Sequence, residues 1–146
     1  MCKAIDVANF FLKCPEDSDM SNSITNMKLQ KLMYFAQGHA LAVLGHPLFR
    51  EDFEAWTHGP VIPALYRLYR NFGDQKIPPP ESVDFSRFTP EEKQLLEEVW
   101  ETYGIYSAWG LRNLSHSTKP WIDHQYTHGV IPQPEMRQYF LTLNSK

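Results

Sequence analysis

Apolar residues recur at helical spacing along most of this 146-residue chain. In the longest such stretch, residues 26–44, one face carries Leu29, Leu32 and Ala36, and the opposite face also holds apolar residues. A helix that is apolar nearly all round has neighbours on several sides, so we expect this one to be central. The predicted helices cover residues 3–14, 26–44, 61–72, 90–103, 107–116 and a last segment that begins at Pro134.

Two short segments predict strands instead. Residues 53–56 alternate apolar and polar side chains, and Val130-Ile131 is a β-branched pair. The Gly59-Pro60 pair predicts a turn into the following helix, and the polar stretch 16–22 predicts a loop. The pattern as a whole predicts a mainly α protein. We expect a compact single-domain helical bundle of about six helices with a small β element, over residues 1–146.

Three local signals refine this prediction. Thr89, Pro90 and Glu92 form the sequence pattern of a capping box, with Pro at the first helical position. Ser107 is suited to cap the short helix that follows it. Gly38 lies inside the longest predicted helix, where it costs about 1 kcal/mol of helix propensity relative to Ala. We therefore expect a neighbouring element to approach closely at Gly38.

Composition and charge narrow the functional classes. The chain has 14 Lys and Arg against 17 Asp and Glu, a net charge of −3, which argues against a protein whose main task is holding a nucleic-acid backbone. No apolar run reaches the ~18 residues of a spanning helix, so we expect no membrane partner. Cys2 and Cys14 would lie roughly 18 Å apart along the first predicted helix, too far for a disulfide. Reduced thiols are typical of a cytoplasmic protein.

The sequence carries no pattern of a catalytic or cofactor-binding site. It has no G-x-S-x-G elbow and no Gly-rich phosphate loop, so we predict no catalytic residue and no cofactor. His124 and His128 are four residues apart, but a zinc site usually needs three or four ligands. The favoured interpretation is two loop histidines and no metal. A small metal-dependent hydrolase that uses this pair remains an alternative.

Nucleic-acid binding has only weak local support. Lys28 with Lys31, and Arg67 with Arg70, are basic pairs at one-turn spacing. Two pairs fall short of the basic stripe that is typical of DNA-binding proteins. A DNA-binding regulator that acts through Lys28 and Lys31 is therefore kept as an alternative, and a nucleic-acid partner is not favoured.

A surface for another protein is the remaining class. Interfaces are enriched in aromatic residues and Arg, and the segment around the Gly-Pro pair is rich in both. The predicted partner-binding residues are His58, Gly59, Pro60, Arg67, Tyr69 and Arg70, with a second face at Lys31 and Tyr34. Leu29, Leu32, Phe35 and Trp56 are instead predicted to form the core.

One stretch goes beyond generic patterning. Residues 26–38 read NMKLQKLMYFAQG, and are followed in order by Gly45-His46-Pro47-Leu48-Phe49, Phe53-Glu54-Ala55-Trp56 and His58-Gly59-Pro60-Val61. This series resembles the signature of the Panacea domain family, which includes SocA-like antitoxins and phage-associated GepA-like proteins. The resemblance covers residues 4–141 and is strongest over 24–70.

The resemblance implies an antitoxin that neutralises a cognate protein toxin by direct binding. Members of this family act on toxins of different structure that are usually encoded by a neighbouring gene, and one member is linked to delivery of its toxin to a bacterial protease. Occlusion of the toxin and adaptation for proteolysis both follow as expectations. The resemblance also allows a related phage-borne interaction protein, and a phage-borne DNA-binding regulator stays the alternative function because of the basic pairs described above.

Overall fold

A computed structural model describes residues 1–17 and 24–144 of the chain. The described residues form seven α-helices and three strands: α1 (Ala4–Lys13), α2 (Asn26–Val43), β1 (Phe53–Trp56), β2 (Gly59–Val61), α3 (Pro63–Tyr69), α4 (Pro90–Tyr103), α5 (Ala108–Ser115), α6 (Lys119–His124), β3 (Val130–Ile131) and α7 (Gln133–Asn144). Short 3-10 turns cover Cys14–Asp17, Arg70–Phe72 and Phe85–Arg87. The mainly α fold with a small β element is confirmed.

The differences from the sequence prediction are local. The loop expected over residues 16–22 begins inside a 3-10 turn, and its remaining residues lie outside the described ones. Helix α6 was not predicted, because a segment of six residues is too short for a periodic signal. Its Pro120 lies in the first turn, where Pro is well tolerated. Residues 59–61, expected as a turn and helix start, form β2 instead.

The three strands form one antiparallel sheet in the order β2-β1-β3. Ala55 of β1 lies opposite Pro60 of β2, and Phe53 lies opposite Ile131 of β3. Pro60 is compatible with this sheet because β2 is an edge strand, where a missing backbone N–H leaves no central ladder bond unmade. The sheet therefore holds the segment after β1 against the helices.

Helix α2 is the central element, as its apolar pattern predicts. It contacts α1, α3, α4, α5, α7 and β2. Its core side chains Leu29, Leu32 and Phe35 are at most 1% exposed, in agreement with their predicted role. Ala36 and Ala40 are also fully buried. The helix is therefore surrounded along most of its length.

Apart from the half-buried His39, the polar side chains of α2 are buried as well, and each bonds to a neighbouring segment. Lys28 Nζ donates to the carbonyl oxygen of Gly104 at 2.7 Å, and Gln30 Oε1 accepts from the backbone N–H of Ile62 at 2.9 Å. Gln37 both accepts from the N–H of Leu48 and donates to a neighbouring carbonyl in the same loop. Buried polar groups need such partners. These side chains therefore fix the surrounding loops on α2.

Gly38 lets α7 approach α2 closely. A Cβ at this position would overlap the ring of Phe140, a fully buried residue of α7. The Phe140 ring also makes edge contacts with Tyr34 at 5.6 Å and Phe35 at 6.0 Å between ring centroids. The close approach predicted at Gly38 is confirmed.

The two predicted caps are also confirmed. Thr89 Oγ1 accepts from the backbone N–H of Glu92 at 3.1 Å, and Glu92 Oε1 accepts from the N–H of Thr89 at 2.9 Å. Ser107 Oγ accepts from the N–H of Gly110 at 2.9 Å at the start of α5. Each bond satisfies a backbone donor that the first helical turn leaves free.

Candidate functional site

A cleft of about 640 Å³ opens between α2, the β1–β2 hairpin and α3. Its lining includes Met27 and Lys31 from α2, Trp56 and His58 from the hairpin, and Tyr66 from α3. Clefts of this size bind ligands or single side-chain clusters of a partner. The cleft therefore gathers residues from the family-like segment on one face of the molecule.

Two aromatic rings form the apolar wall of the cleft. Trp56 and Tyr66 meet edge to face, with 5.1 Å between ring centroids, and both are half-buried. The Trp56 indole N–H donates to Glu54 Oε1 at 2.9 Å, and the Trp56 carbonyl accepts from the indole of Trp121 at 2.8 Å. These bonds hold the Trp56 ring in place, so part of its surface stays open to the cleft.

Lys31 is the buried cation of the cleft. The residue is only 1% exposed, and its Nζ donates to the carbonyl oxygen of Pro60 at 3.3 Å. Burial, with the nearby positive charge of Arg112, lowers the pKa of Lys31 from 10.5 to about 7. A large share of this amine is therefore neutral near neutral pH.

The Lys31 side chain leaves room only for a glycine at position 59. Gly59 has a φ of +116°, in the region that favours Gly, and a Cβ there would overlap the Lys31 side chain and approach Ser115 Oγ. Gly59 and Pro60 are themselves buried. These two residues therefore position the hairpin over Lys31, and the expectation that they lie on an exposed surface is wrong.

The mouth of the cleft is more polar than its interior. His58 and Arg70, both predicted to contact a partner, line it and are exposed. Asp74 is the acidic residue among the lining residues that the structure describes, and its carboxylate accepts from the Gln75 side chain at 3.1 Å. Arg67 is exposed on α3 but is not part of the lining.

Three predicted surface residues are buried. Lys31 and Tyr34 are at most 1% exposed, and Tyr69 is 8% exposed, so the expectation that they present a free surface is wrong. The Tyr34 hydroxyl shares a 2.8 Å hydrogen bond with Thr118 Oγ1, which explains how a tyrosine is accommodated there. Burial raises the pKa of the Tyr34 hydroxyl above its ordinary value. Neighbouring elements cover these three residues, and of the three Lys31 alone lines the cleft.

Sequence reasoning missed the aromatic residues that are exposed. Trp109 is 58% exposed on α5, and the guanidinium of Arg112 lies 4.3 Å from its ring centroid. Tyr126 is 89% exposed, two residues before the cleft residue His128. Ala108, which precedes Trp109, also lines the cleft. The buried residues of α5 are Leu111 and Ser115, so the helix leaves Trp109 on its outer face.

His124 and His128 do not form a common metal site in the structure. His124 Nε2 lies 3.0 Å from Glu135 Oε1, while His128 is exposed in a left-handed turn with a φ of 53°. Across residues 1–17 and 24–144, no three His, Cys, Asp or Glu side chains are grouped so that they could hold a metal ion. The pair His124 and His128 therefore has no third ligand among the residues described.

The proposed DNA-contacting pair is also internal. Lys28 and Lys31 are both 1% exposed and bond to backbone carbonyls of neighbouring segments. Phosphate contacts require exposed amines. The hypothesis of a DNA-binding surface at Lys28 and Lys31 is therefore wrong. None of the described helices is both long and apolar enough to cross a membrane.

Comparisons with known proteins agree with the signature in α2. The family model described as "Antitoxin SocA-like, Panacea domain" matches residues 29–122, which contain the hairpin, α3 and most of the cleft. The chain is 34% identical over 133 residues to antitoxin SocA from Caulobacter vibrioides (strain NA1000 / CB15N). That match covers 79% of this chain and 66% of the relative, slightly less than two thirds of its length. No solved structure is significantly similar to the chain.

Proposed function

Because the chain belongs to the SocA-like Panacea domain family of antitoxins, we propose that it neutralises a protein toxin by binding it directly. The observation that carries this proposal is the family match over residues 29–122, supported by the similarity to antitoxin SocA. The toxin is the product of a neighbouring gene, and the two proteins meet in the cytoplasm. The chain acts as a binding protein and not as an enzyme.

The proposed contact surface is the mouth of the cleft and the adjacent surface of α3 and α5. His58, Arg67 and Arg70 are exposed there, and Trp109 presents an exposed indole on α5. Trp and Arg are the residue types most often found as energetic anchors of protein interfaces. Gly59 and Pro60 contribute by positioning His58, since both are buried.

Co-expression tests the proposal directly. The gene next to this one is expressed in a bacterial host with and without the chain, and growth is followed. We expect growth arrest by the neighbour alone, rescue by the chain, and a stoichiometric complex in size-exclusion chromatography. A neighbour without toxicity, or rescue that does not require the chain, contradicts the proposal.

A charge reversal at the cleft mouth tests the proposed surface. Arg70→Glu changes an exposed residue, so its effect on the free energy of unfolding is expected to stay within about 0.5 kcal/mol. We expect it to weaken toxin binding and growth rescue. Arg137→Glu is the matched control, because Arg137 is exposed on α7 and does not line the cleft. Equal affinities for the two variants contradict the placement of the surface.

Neutralisation by occlusion and neutralisation by proteolysis differ in the fate of the toxin. If the chain only occludes the toxin, the half-life of the toxin stays constant or rises when the chain is present. If the chain delivers the toxin to a bacterial protease, the half-life falls and depends on that protease. A pulse-chase measurement in strains with and without the major cytoplasmic proteases separates the two routes.

A further inference from the structure

Lys31 has more hydrogen-bond donors than the structure satisfies. A lysine ammonium carries three N–H donors, and among the described residues Nζ of Lys31 has one acceptor, the carbonyl of Pro60 at 3.3 Å. Over residues 1–17 and 24–144, no carboxylate lies within ion-pair distance of this nitrogen. Buried amines are costly unless they are paired. Lys31 therefore combines a high cost of burial with a position on the wall of an open cleft.

Two further nitrogen atoms beside Lys31 are buried without a partner. Arg112 Nε and His116 Nε2 have no hydrogen-bond acceptor or donor in the described part of the chain. Both residues are close enough that their charges and that of Lys31 disfavour one another. Arg112 keeps its charge, and a carboxylate placed beside Lys31 favours the charged form of the amine, so this group of basic nitrogens suits an acidic partner.

The other cleft residues indicate which kind of side chain lies next to the acidic group in the bound partner. Trp56, Tyr66 and Met27 give it an apolar wall, and Arg70 and His58 add basic groups at the mouth. Asp74 also lines the cleft and accepts from the Gln75 side chain, but it forms no ion pair with Lys31. A compact amine matches a singly charged carboxylate, and an apolar wall matches the side chain of an adjacent residue.

We propose that the cleft receives an acidic side chain of the toxin, whose carboxylate bonds to Nζ of Lys31 while a neighbouring apolar side chain packs against Trp56 and Tyr66. This inference rests on the proposed antitoxin function and names the part of the toxin that the site recognises. Lys31 and Trp56 are then contact residues, and Arg70 contributes at the mouth.

Lys28 provides a matched control for Lys31. Both are lysines of α2, both are 1% exposed, and both donate to a backbone carbonyl. Lys28 is not among the cleft residues, and its Nζ also lies 5.6 Å from the Trp100 ring centroid. If Lys31 serves only to tie the hairpin to α2, the two lysines have the same kind of role. If Lys31 recognises the toxin, only its replacement affects binding.

Titration calorimetry with the purified toxin compares wild type, Lys31→Met and Lys28→Met. We expect Lys31→Met to weaken binding about tenfold or more, the usual effect of losing a charge-assisted contact, and Lys28→Met to leave the affinity unchanged. Thermal unfolding of each variant establishes that it is folded. Wild-type affinity in Lys31→Met overturns the inference. Wild-type chain that binds no toxin at all is instead a failure of the proposed function.

A probe that needs no toxin keeps the inference testable if Lys31→Met does not fold. The wild-type chain is titrated with N-acetyl-Leu-Glu-amide and with the matched N-acetyl-Leu-Gln-amide, while the indole N–H resonance of Trp56 is followed by NMR. We expect a saturable shift with the Glu peptide and little shift with the Gln peptide. Equal shifts, or a shift produced by inorganic phosphate and not by the Glu peptide, overturn the acidic side chain as occupant.

Discussion

The burial of Lys31 has a direct consequence for the pH dependence of stability. Because folding lowers the pKa of Lys31 from 10.5 to about 7, the unfolded chain binds one more proton than the folded chain between these two pH values. The free energy of unfolding therefore rises with pH across this window and falls back as pH decreases towards 7. Replacement of Lys31 by Met removes this contribution.

The magnitude follows from the same two pKa values. Each pH unit across the window contributes up to about 1.4 kcal/mol. From pH 7 to pH 9 the summed gain is about 2 kcal/mol, since the amine is already partly deprotonated at pH 7. Lys28, with a pKa lowered to about 8, and Cys2, with a pKa raised to about 11, also titrate differently in the two states. Both are present in the variant, so their contributions cancel in the comparison.

Urea unfolding at pH 7, 8 and 9, followed by tryptophan fluorescence, measures the effect. We expect the free energy of unfolding to rise more steeply with pH for wild type than for Lys31→Met, by about 2 kcal/mol over the range. Lys76→Met, which removes an exposed amine, controls for the loss of one charge. Parallel profiles for wild type and Lys31→Met would refute the reasoning, because Lys31 would then titrate as a solvated amine.

Four further predictions concern stability, each read as a change in the free energy of unfolding by urea. Gly38→Ala places a Cβ on the Phe140 ring and is expected to cost about 1–3 kcal/mol, and Phe140→Leu in the same chain should recover part of it. Gln37→Leu leaves two buried backbone groups of the 47–49 loop unpaired and is expected to cost about 2–4 kcal/mol. Thr89→Ala removes the cap of α4 for about 1 kcal/mol. Leu32→Asp buries a charge and is expected to cost several kcal/mol. In each case an unchanged urea midpoint is the contrary result.

Periodicity predicts the fold well where burial is decided by apolar residues. The central position of α2, the close approach at Gly38 and the caps at Thr89 and Ser107 all follow from local chemistry, and the structure confirms them. Helix α6 escaped prediction because its few residues span less than two turns, too short for a periodic signal.

The candidate site was harder to predict because exposure depends on tertiary packing. Lys31 and Tyr34 have the polar groups of surface residues, yet neighbours on every side of α2 enclose them. Trp109 has the ring of a core residue, yet α5 leaves it 58% exposed. A sequence reports which side chains an element presents, but not whether a later element in the chain covers them. His58 and Arg70, beside a turn and at a helix end, could be recognised as exposed from local signals alone.

Because the signature residues of α2 are mostly buried, their main role is to hold the fold, and recognition of a partner falls to other residues. Gln30 and Gln37 bond to backbone atoms of other segments, and such bonds need the same side chain whatever the partner is. These bonds fix the loop around Leu48 and the backbone at Ile62 against α2. Gln30 and Lys31 both belong to the signature and also line the cleft, and Lys31 is the basic one of the two. If the proposed acidic contact at Lys31 forms, discrimination between toxins lies in exposed neighbours such as Arg70 and Trp109, since Lys31 attracts any acidic group whatever the fold that carries it.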